Sequence, residues 1–186
     1  MQITSAMKMV SAAKLKRAQD AIQQMRPYAS KLTEIIGNVS ATLDSSEGVY
    51  SQEREVKNVL IVPVTSNRGL CGGFNSSITK HAHQMLKSMN DVNAEVYAIG
   101  KKANDAFKKT HKIAKAESEI WNELNYEQAA EIAQELMDGF VDKKWDKIIV
   151  VYNQFKNAAV QIVQEEQVLP IVSKHSEEAG GQDYIY

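Results

Sequence analysis

Apolar residues recur along the first quarter of the chain with a strict rhythm. Leu15, Ala18, Ile22, Met25, Ala29, Leu32, Ile36, Val39 and Leu43 follow one another at alternating steps of three and four residues, the a/d seam of a coiled coil. Upstream the phase changes: Ile3, Met7 and Val10 make a short second seam, and Lys14 stands where the next apolar residue is due. The intervening positions are rich in Ala, Lys and Gln, all good helix formers, so the pattern predicts one helix from Ile3 to about Leu43. At 1.5 Å per residue, a helix of about 40 residues is about 60 Å long, and part of it must project from a domain of this size. Pro27 interrupts the run, and a mid-helix proline costs about 3 kcal/mol or more. The seam keeps its register across Pro27, which favours a bend or loosened turn there over two shorter helices.

After the helix the pattern changes. Asp44 to Lys57, with paired serines, Gly48 and mixed charge, reads as a linker. Val59 to Thr65 is then a continuous apolar, β-branched run, the mark of a buried strand, with Pro63 placed near a strand end. The loop Ser66–Gly73 leads to a helix predicted over 75–89. Ala94–Ile99 reads as a second strand closed by Gly100, Lys101–Lys109 as a short helix, and Lys112–Ile120 as an extended stretch. An amphipathic helix is predicted over 126–143, with Ala129, Ala133, Leu136, Met137 and Phe140 on one stripe. Lys147–Tyr152 is another buried strand, Val160–Ile171 a longer extended arm, and Ser173–Asp183 a polar tail. The fold class expected is α/β: a Rossmann-like, mainly parallel sheet with flanking helices, plus the long N-terminal coiled-coil helix. The corresponding segments are a shaft helix over 1–44, a linker over 45–57, a globular domain over 58–172 and a tail over 173–186. No second helix of comparable length follows, so the seam's partner is expected in another chain or in a part of the protein beyond this sequence.

Composition narrows the picture. The 186 residues are 44% hydrophobic and 24% charged, which fits a globular domain plus an appendage. The formal net charge of −1 offers no global attraction to nucleic acid or an anionic membrane, and no apolar run approaches the length of a bilayer span. The single cysteine, Cys71, excludes an intrachain disulfide. Charge is nevertheless uneven. Residues 1–31 carry six basic side chains (Lys8, Lys14, Lys16, Arg17, Arg26, Lys31) against one acid, Asp20. That asymmetry is read either as a solvated coiled-coil face or as a contact surface for an acidic partner.

Candidate chemistry is sparse. The loop Ser66-Asn67-Arg68-Gly69-Leu70-Cys71-Gly72-Gly73-Phe74-Asn75 sits between a strand and a helix, where backbone N–H groups can hold phosphate. It matches neither the dinucleotide glycine spacing nor the P-loop, which needs Lys followed by Ser or Thr. The alternative is that Gly69, Gly72 and Gly73 serve tight backbone geometry. His81 and His83 are two apart and face different ways on a helix, while His111 and His175 are expected as solitary surface residues. Glu123, Glu127, Glu131 and Glu135 fall at four-residue spacing and are expected to form a solvated acidic stripe. Cys71 has Arg68 nearby but no histidine base close in sequence. No catalytic, cofactor-binding or metal-binding residue is assigned.

Two stretches resemble a known family. Thr4 to Gln19 (TSAMKMVSAAKLKRAQ) is similar to the N-terminal helix motif of F-type ATP synthase gamma subunits. Ser66 through Asn75 resembles that family's glycine-rich loop, with Asn67 where Asp is more usual, and Ile149–Phe155 looks like a late family strand. The resemblance implies a bacterial central-stalk rotor subunit. Its N-terminal helix would pair antiparallel with a C-terminal helix to form a shaft inside a ring of catalytic alpha and beta subunits. The globular domain would contact the epsilon subunit and the membrane c-ring, on the cytoplasmic face of the inner membrane. It further implies that about 20 residues before Gln2 and the long helix after Tyr186 are missing here, in keeping with the abrupt finish Tyr184-Ile185-Tyr186. Met7, Lys8, Met9, Lys14, Lys16 and Arg17 match the segment facing an acidic lever loop of the beta subunits and are the expected torque contacts. No cofactor and no nucleic-acid partner are implied, and the membrane is reached only through the c-ring. The readings that remain beside this one are a nucleotide-binding α/β enzyme using the loop 66–75, and a coiled-coil adaptor.

Overall fold

A computed structural model of the chain describes residues 2–42, 48–157 and 159–172. Leu43 of the seam, His175 and the expected tail over 173–186 lie outside the described residues. The long helix and the compact body over residues 45–172 are separate units.

Helix α1 spans Gln2–Thr42 as one element with Pro27 inside it. The assignment runs through the proline without interruption, so the reading as two helices is set aside. The helical residues on either side hold the register that the seam demanded.

The body is a three-layer α/β/α sandwich built on one five-stranded sheet. Its elements in chain order are β1 (Asn58–Pro63), α2 (Phe74–Ser88), β2 (Asn93–Ile99), α3 (Lys101–Phe107), β3 (Lys112–Glu117), a 3-10 turn at Glu119–Trp121, α4 (Tyr126–Val141), β4 (Lys147–Phe155) and β5 (Gln161–Leu169). The strand order is β3-β2-β1-β4-β5. β1 pairs in parallel with β2 and β4, and β2 with β3, whereas β4 and β5 are antiparallel. The extended arm expected after residue 160 is therefore a sheet strand, returning along β4 as a hairpin. The extended stretch expected over Lys112–Ile120 is the opposite edge strand followed by the 3-10 turn.

Period-two alternation sorts the core into two halves. Val59 and Ile61 of β1, with Val96, Ala98, Ile149 and Val151, meet Ile78, Ala82 and Leu86 of α2 and Phe107 of α3. Leu60 and Val62, with Tyr97 and Ile148, meet Leu136 and Phe140 of α4, Trp145 and Leu169. β1 is buried on both faces because it is the central strand, which is why it reads as an unbroken apolar run. Pro63 ends it, where the missing N–H costs the ladder least.

The segment preceding β1 is held to this body. Arg54 donates from Nη2 to the carbonyls of Phe140 and Trp145, each at 2.7 Å. Its Nε lies 2.8 Å from Asp146 Oδ1, an ion pair out of hydrogen-bond alignment. The acidic positions on and before α4 divide as well. Glu123 precedes the helix, so it is not part of a helical stripe, and Glu127 and Glu131 are exposed. Glu135 accepts from Tyr97 Oη at 2.9 Å and Lys115 Nζ at 2.6 Å, so it is a tertiary tie as well as a partly solvated charge.

Candidate functional site

Two places carry the residues singled out by sequence: the N-terminal half of α1 and the loop after β1. On α1, Met7 and Met9 are about two-thirds exposed, at 66% and 65%. Lys8, Lys14, Lys16 and Arg17 are exposed as well. Successive residues turn by about 100° on a helix. Met7 and Lys14 therefore share the side of the seam, Met9 and Lys16 lie opposite, and Lys8 and Arg17 take the two flanks. The six do not form one face; they ring the rod. Lys16 pairs with Asp20 at 2.8 Å, while Lys8, Lys14 and Arg17 make no ion pair among the described residues. The seam residues Leu15, Met25, Leu32 and Ile36 are exposed, as are Ala18 and Ala29, with Ile22 and Val39 half-buried.

The glycine-rich loop is a self-contained knot. Asn75, in the first turn of α2, reaches back into it. Its Oδ1 accepts from the Ser66 N–H at 3.0 Å, and its Nδ2 donates to Ser66 Oγ at 3.0 Å and the Arg68 carbonyl at 3.1 Å. The same Nδ2 lies 3.1 Å from Cys71 Sγ. Asn67 ties the loop outward, accepting from the Lys101 N–H at 2.9 Å and donating to the Ser118 carbonyl at 2.8 Å. Leu70 (φ 59°) and Gly72 (φ 58°) both take the left-handed conformation, and Leu70 projects with its side chain fully exposed. Phe74 opens α2 instead of closing the loop. Gly69, Gly72 and Gly73 thus serve a turn whose side-chain polar groups bond to one another and to the neighbouring βα connection. Among the described residues, the hydrogen-bond partners of the exposed Cys71 are the Arg68 carbonyl and Asn75 Nδ2, and no imidazole is among them.

The histidines part company as their spacing requires. His81 Nε2 lies 2.9 Å from Glu165 Oε2 on β5. His83 stacks on Phe107 with 4.3 Å between ring centroids and stands 5.3 Å from His111. His111 is thus a half-buried member of a ring cluster and not the solitary surface residue expected from sequence; its 28-residue separation from His83 hid the contact. Burial lowers the His83 pKa, and the neighbouring His111 and Lys87 lower it further. Among the described residues, no group of three or more His, Cys, Asp or Glu is arranged to hold a metal ion. An open groove of about 450 Å³ lies on α4, lined by Glu131, Glu135, Asp138, Asp142, Lys144 and Trp145, away from the loop.

No helix of the described residues is long and apolar enough to cross a membrane. What places the chain is its match along its whole length: the family model described as ATP synthase covers residues 1–186. The chain belongs to this ATP synthase family. A protein of Christiangramia forsetii named ATP synthase gamma chain is 56% identical over 190 residues, covering 100% of this chain and 66% of the relative. One of Cytophaga hutchinsonii with the same name is 42% identical over 198 residues, with the same coverage. The chain thus spans about two thirds of the length of these gamma chains, 66%. Among solved structures, it is similar to a chain in the cryo-EM structure of the Tetrahymena thermophila mitochondrial ATP synthase central stalk and c-ring. There the TM-score is 0.67 at 27% identity, over 90% of this chain and 72% of that one.

Proposed function

We propose that this chain is the central-stalk rotor subunit of an F-type ATP synthase. It couples proton-driven rotation of the c-ring to ATP synthesis at the alpha/beta ring, and carries no catalytic site of its own. The observation that carries the reading is the 41-residue helix with an exposed apolar seam and a ring of basic residues, in a chain of this ATP synthase family. A rod of this kind needs a second helix along its seam and a surrounding surface around its charges. Residues 1–44 act as one half of the shaft, 45–57 as the connection, 58–172 as the globular base and 173–186 as the lead into the second shaft helix.

The proposed mechanism is conformational. An asymmetric rod turning inside a ring of catalytic subunits contacts each of them differently and stabilises a different state in each. Lys8, Lys14, Lys16 and Arg17 supply charge for torque contacts with the beta subunits, and Met7 and Met9 adaptable apolar packing beside them. The globular base meets epsilon and the c-ring, and the protein sits peripherally on the cytoplasmic face of the bacterial inner membrane. Adding the full-length protein to purified alpha and beta subunits tests this. A stable complex whose ATPase requires the chain, with no hydrolysis by the chain alone, is expected. Turnover by the isolated chain, or no complex, overturns it.

A further inference from the structure

The segment between α1 and β1 is fastened at one point by an unusually dense set of bonds. Arg54 spans the α4–β4 corner: Nη2 bonds the Phe140 and Trp145 carbonyls, the guanidinium lies 4.2 Å over the Phe140 ring, and Nε faces Asp146. Asp146 completes the fastening from the other side. Its Oδ2 accepts from the N–H groups of Lys57 at 3.0 Å and Asn58 at 2.8 Å, and its own N–H donates to the Asn58 carbonyl at 2.7 Å. The Asp146 side chain is 8% exposed and that of Arg54 22%. Phe140 and Trp145 beneath them are fully buried. Asn58 is the first residue of the central strand. The grip therefore falls where the chain coming from α1 enters the sheet.

Stability alone does not demand this placement, because the same two ions could cap any corner of the body. A planar, charge-assisted fork has fixed geometry, and this one has a directional consequence. We propose that Arg54 and Asp146 form a mechanical clasp, passing force that arrives along the chain from α1 into the central strand. Without it, the bonds that hold this stretch lie at its ends: the Ile171 N–H to the Tyr50 carbonyl on one side, and the Asn93 N–H to the Lys57 carbonyl, both at 2.8 Å, on the other. Residues 52–56 between them would then have slack, each able to extend by about 3.3–3.6 Å. Arg54 is thus a positioning residue, and the inference rests on the rotor reading above.

The test uses the full-length protein in the assembled synthase and measures angular fluctuation of a stalled rotor, protons pumped per ATP, and thermal inactivation. Arg54→Gln and Asp146→Asn are expected to widen the fluctuation by about twofold and lower pumping per ATP while ATPase persists, because the rigid fork is lost. Arg54→Lys keeps the charge without the fork and is expected to fall between them and the unaltered protein. If the neutral variants do not assemble, Arg54→Lys decides. Faster thermal inactivation with unchanged fluctuation and pumping would make the pair a stabilising contact only and overturn the clasp. An unaltered protein that neither assembles nor rotates would instead overturn the rotor reading.

Discussion

Asn67 and Ser118, 51 positions apart, are joined by a hydrogen bond from the Asn67 side-chain amide to the Ser118 carbonyl, 2.8 Å long. Because Oδ1 of the same side chain accepts from the Lys101 N–H, the amide orientation is fixed: only a group with both an acceptor and a donor satisfies the two partners. Asp, the more usual residue in the resembling loop, keeps the first bond and sets an ionised oxygen against a carbonyl in the second. Asn67→Asp is expected to cost about 1–3 kcal/mol at neutral pH. Equilibrium denaturant unfolding would read this as a lower midpoint, and an unchanged midpoint would show that the loop repacks without the donor.

Gly139 and Trp145 make a second test of close packing. A Cβ on Gly139 would overlap ring carbons Cζ3 and Cε3 of Trp145, whose indole is 1% exposed and bonds Glu95 Oε2 through Nε1 at 3.2 Å. Gly139→Ala therefore has to move the largest fully buried side chain of the body, and overpacking of this kind costs about 1–3 kcal/mol. Tryptophan emission and near-ultraviolet circular dichroism should both change, alongside a lower melting temperature. A variant with wild-type spectra would mean that α4 shifts as a rigid element.

Much of this architecture is legible in the residues themselves, and the limit has a physical cause. The seam from Leu15 to Ile36 and the apolar runs at Val59–Val62 and Ile148–Val151 announce their elements because burial is periodic along the chain. The edge strands are different. In β3, Lys112 and Lys115 interrupt the apolar pattern, and in β5 Glu165 and Glu166 do, because an edge strand is half in water. Its pairing partner is then set by tertiary packing. The same holds for Arg54 with Asp146 and for His83 with His111: each pair is created by the fold, and no local spacing points to it. The residues proposed as torque contacts on α1 rest on family resemblance and charge, not on any geometry of a pocket.

Acid should loosen the body through three carboxyls. Burial alone would raise the pKa of Asp146, but the N–H groups of Asn58 and Lys57 and the charge of Arg54 outweigh it and hold it below the usual value. Glu95 and Glu135 are likewise held low against burial, by Lys112 and Trp145 and by Lys115 and Tyr97 respectively. Groups with depressed folded-state pKa values contribute stability that is present above their unfolded values, about 4, and lost as pH falls through the folded values. Unfolding free energy should begin to fall below about pH 6.5, where the unfolded chain protonates His83 more readily than the folded one, and fall more steeply below about pH 4 through the carboxyls. Asp146→Asn should lower the plateau and make the acid limb shallower. An acid limb as steep as that of the unaltered chain would remove Asp146 from this account.

At the alkaline end the sign reverses. The Tyr97 hydroxyl is pushed up to about 12, first by burial and then by its bond to Glu135 and that carboxylate's charge, with Lys115 acting in the opposite sense. A folded-state value above the unfolded one contributes stability that is whole below the unfolded pKa, about 10, and lost as pH rises toward the folded value. Tyr97→Phe removes both the hydroxyl and this loss. Its stability between about pH 10 and 12 should decline less than that of the unaltered chain. Ultraviolet titration should show one fewer late-ionising tyrosine, and identical titrations would place the high value elsewhere.

The charge on α1 yields the last test, and its geometry shapes what to expect. Lys8, Lys14, Lys16 and Arg17 surround the rod, so a partner enclosing it meets positive charge whichever side it presents. Lys16 is already answered by Asp20 at 2.8 Å, an exposed i,i+4 pair worth about 0.3–0.5 kcal/mol. Lys16→Gln alone should therefore change coupling least, and the combination of Lys8→Gln, Lys14→Gln and Arg17→Gln most. Measured in the assembled synthase with the full-length protein, the combined variant is expected to lose coupled ATP synthesis already at low salt and to depend on salt less than the unaltered protein does. Exposed charges act over about a Debye length, roughly 8 Å at physiological ionic strength, so added salt weakens the contacts of the unaltered protein and finds little left to screen in the variant. Normal synthesis by a variant with all four positions neutral would leave the apolar contacts of Met7 and Met9 to carry the torque and would discard the electrostatic part of the proposal.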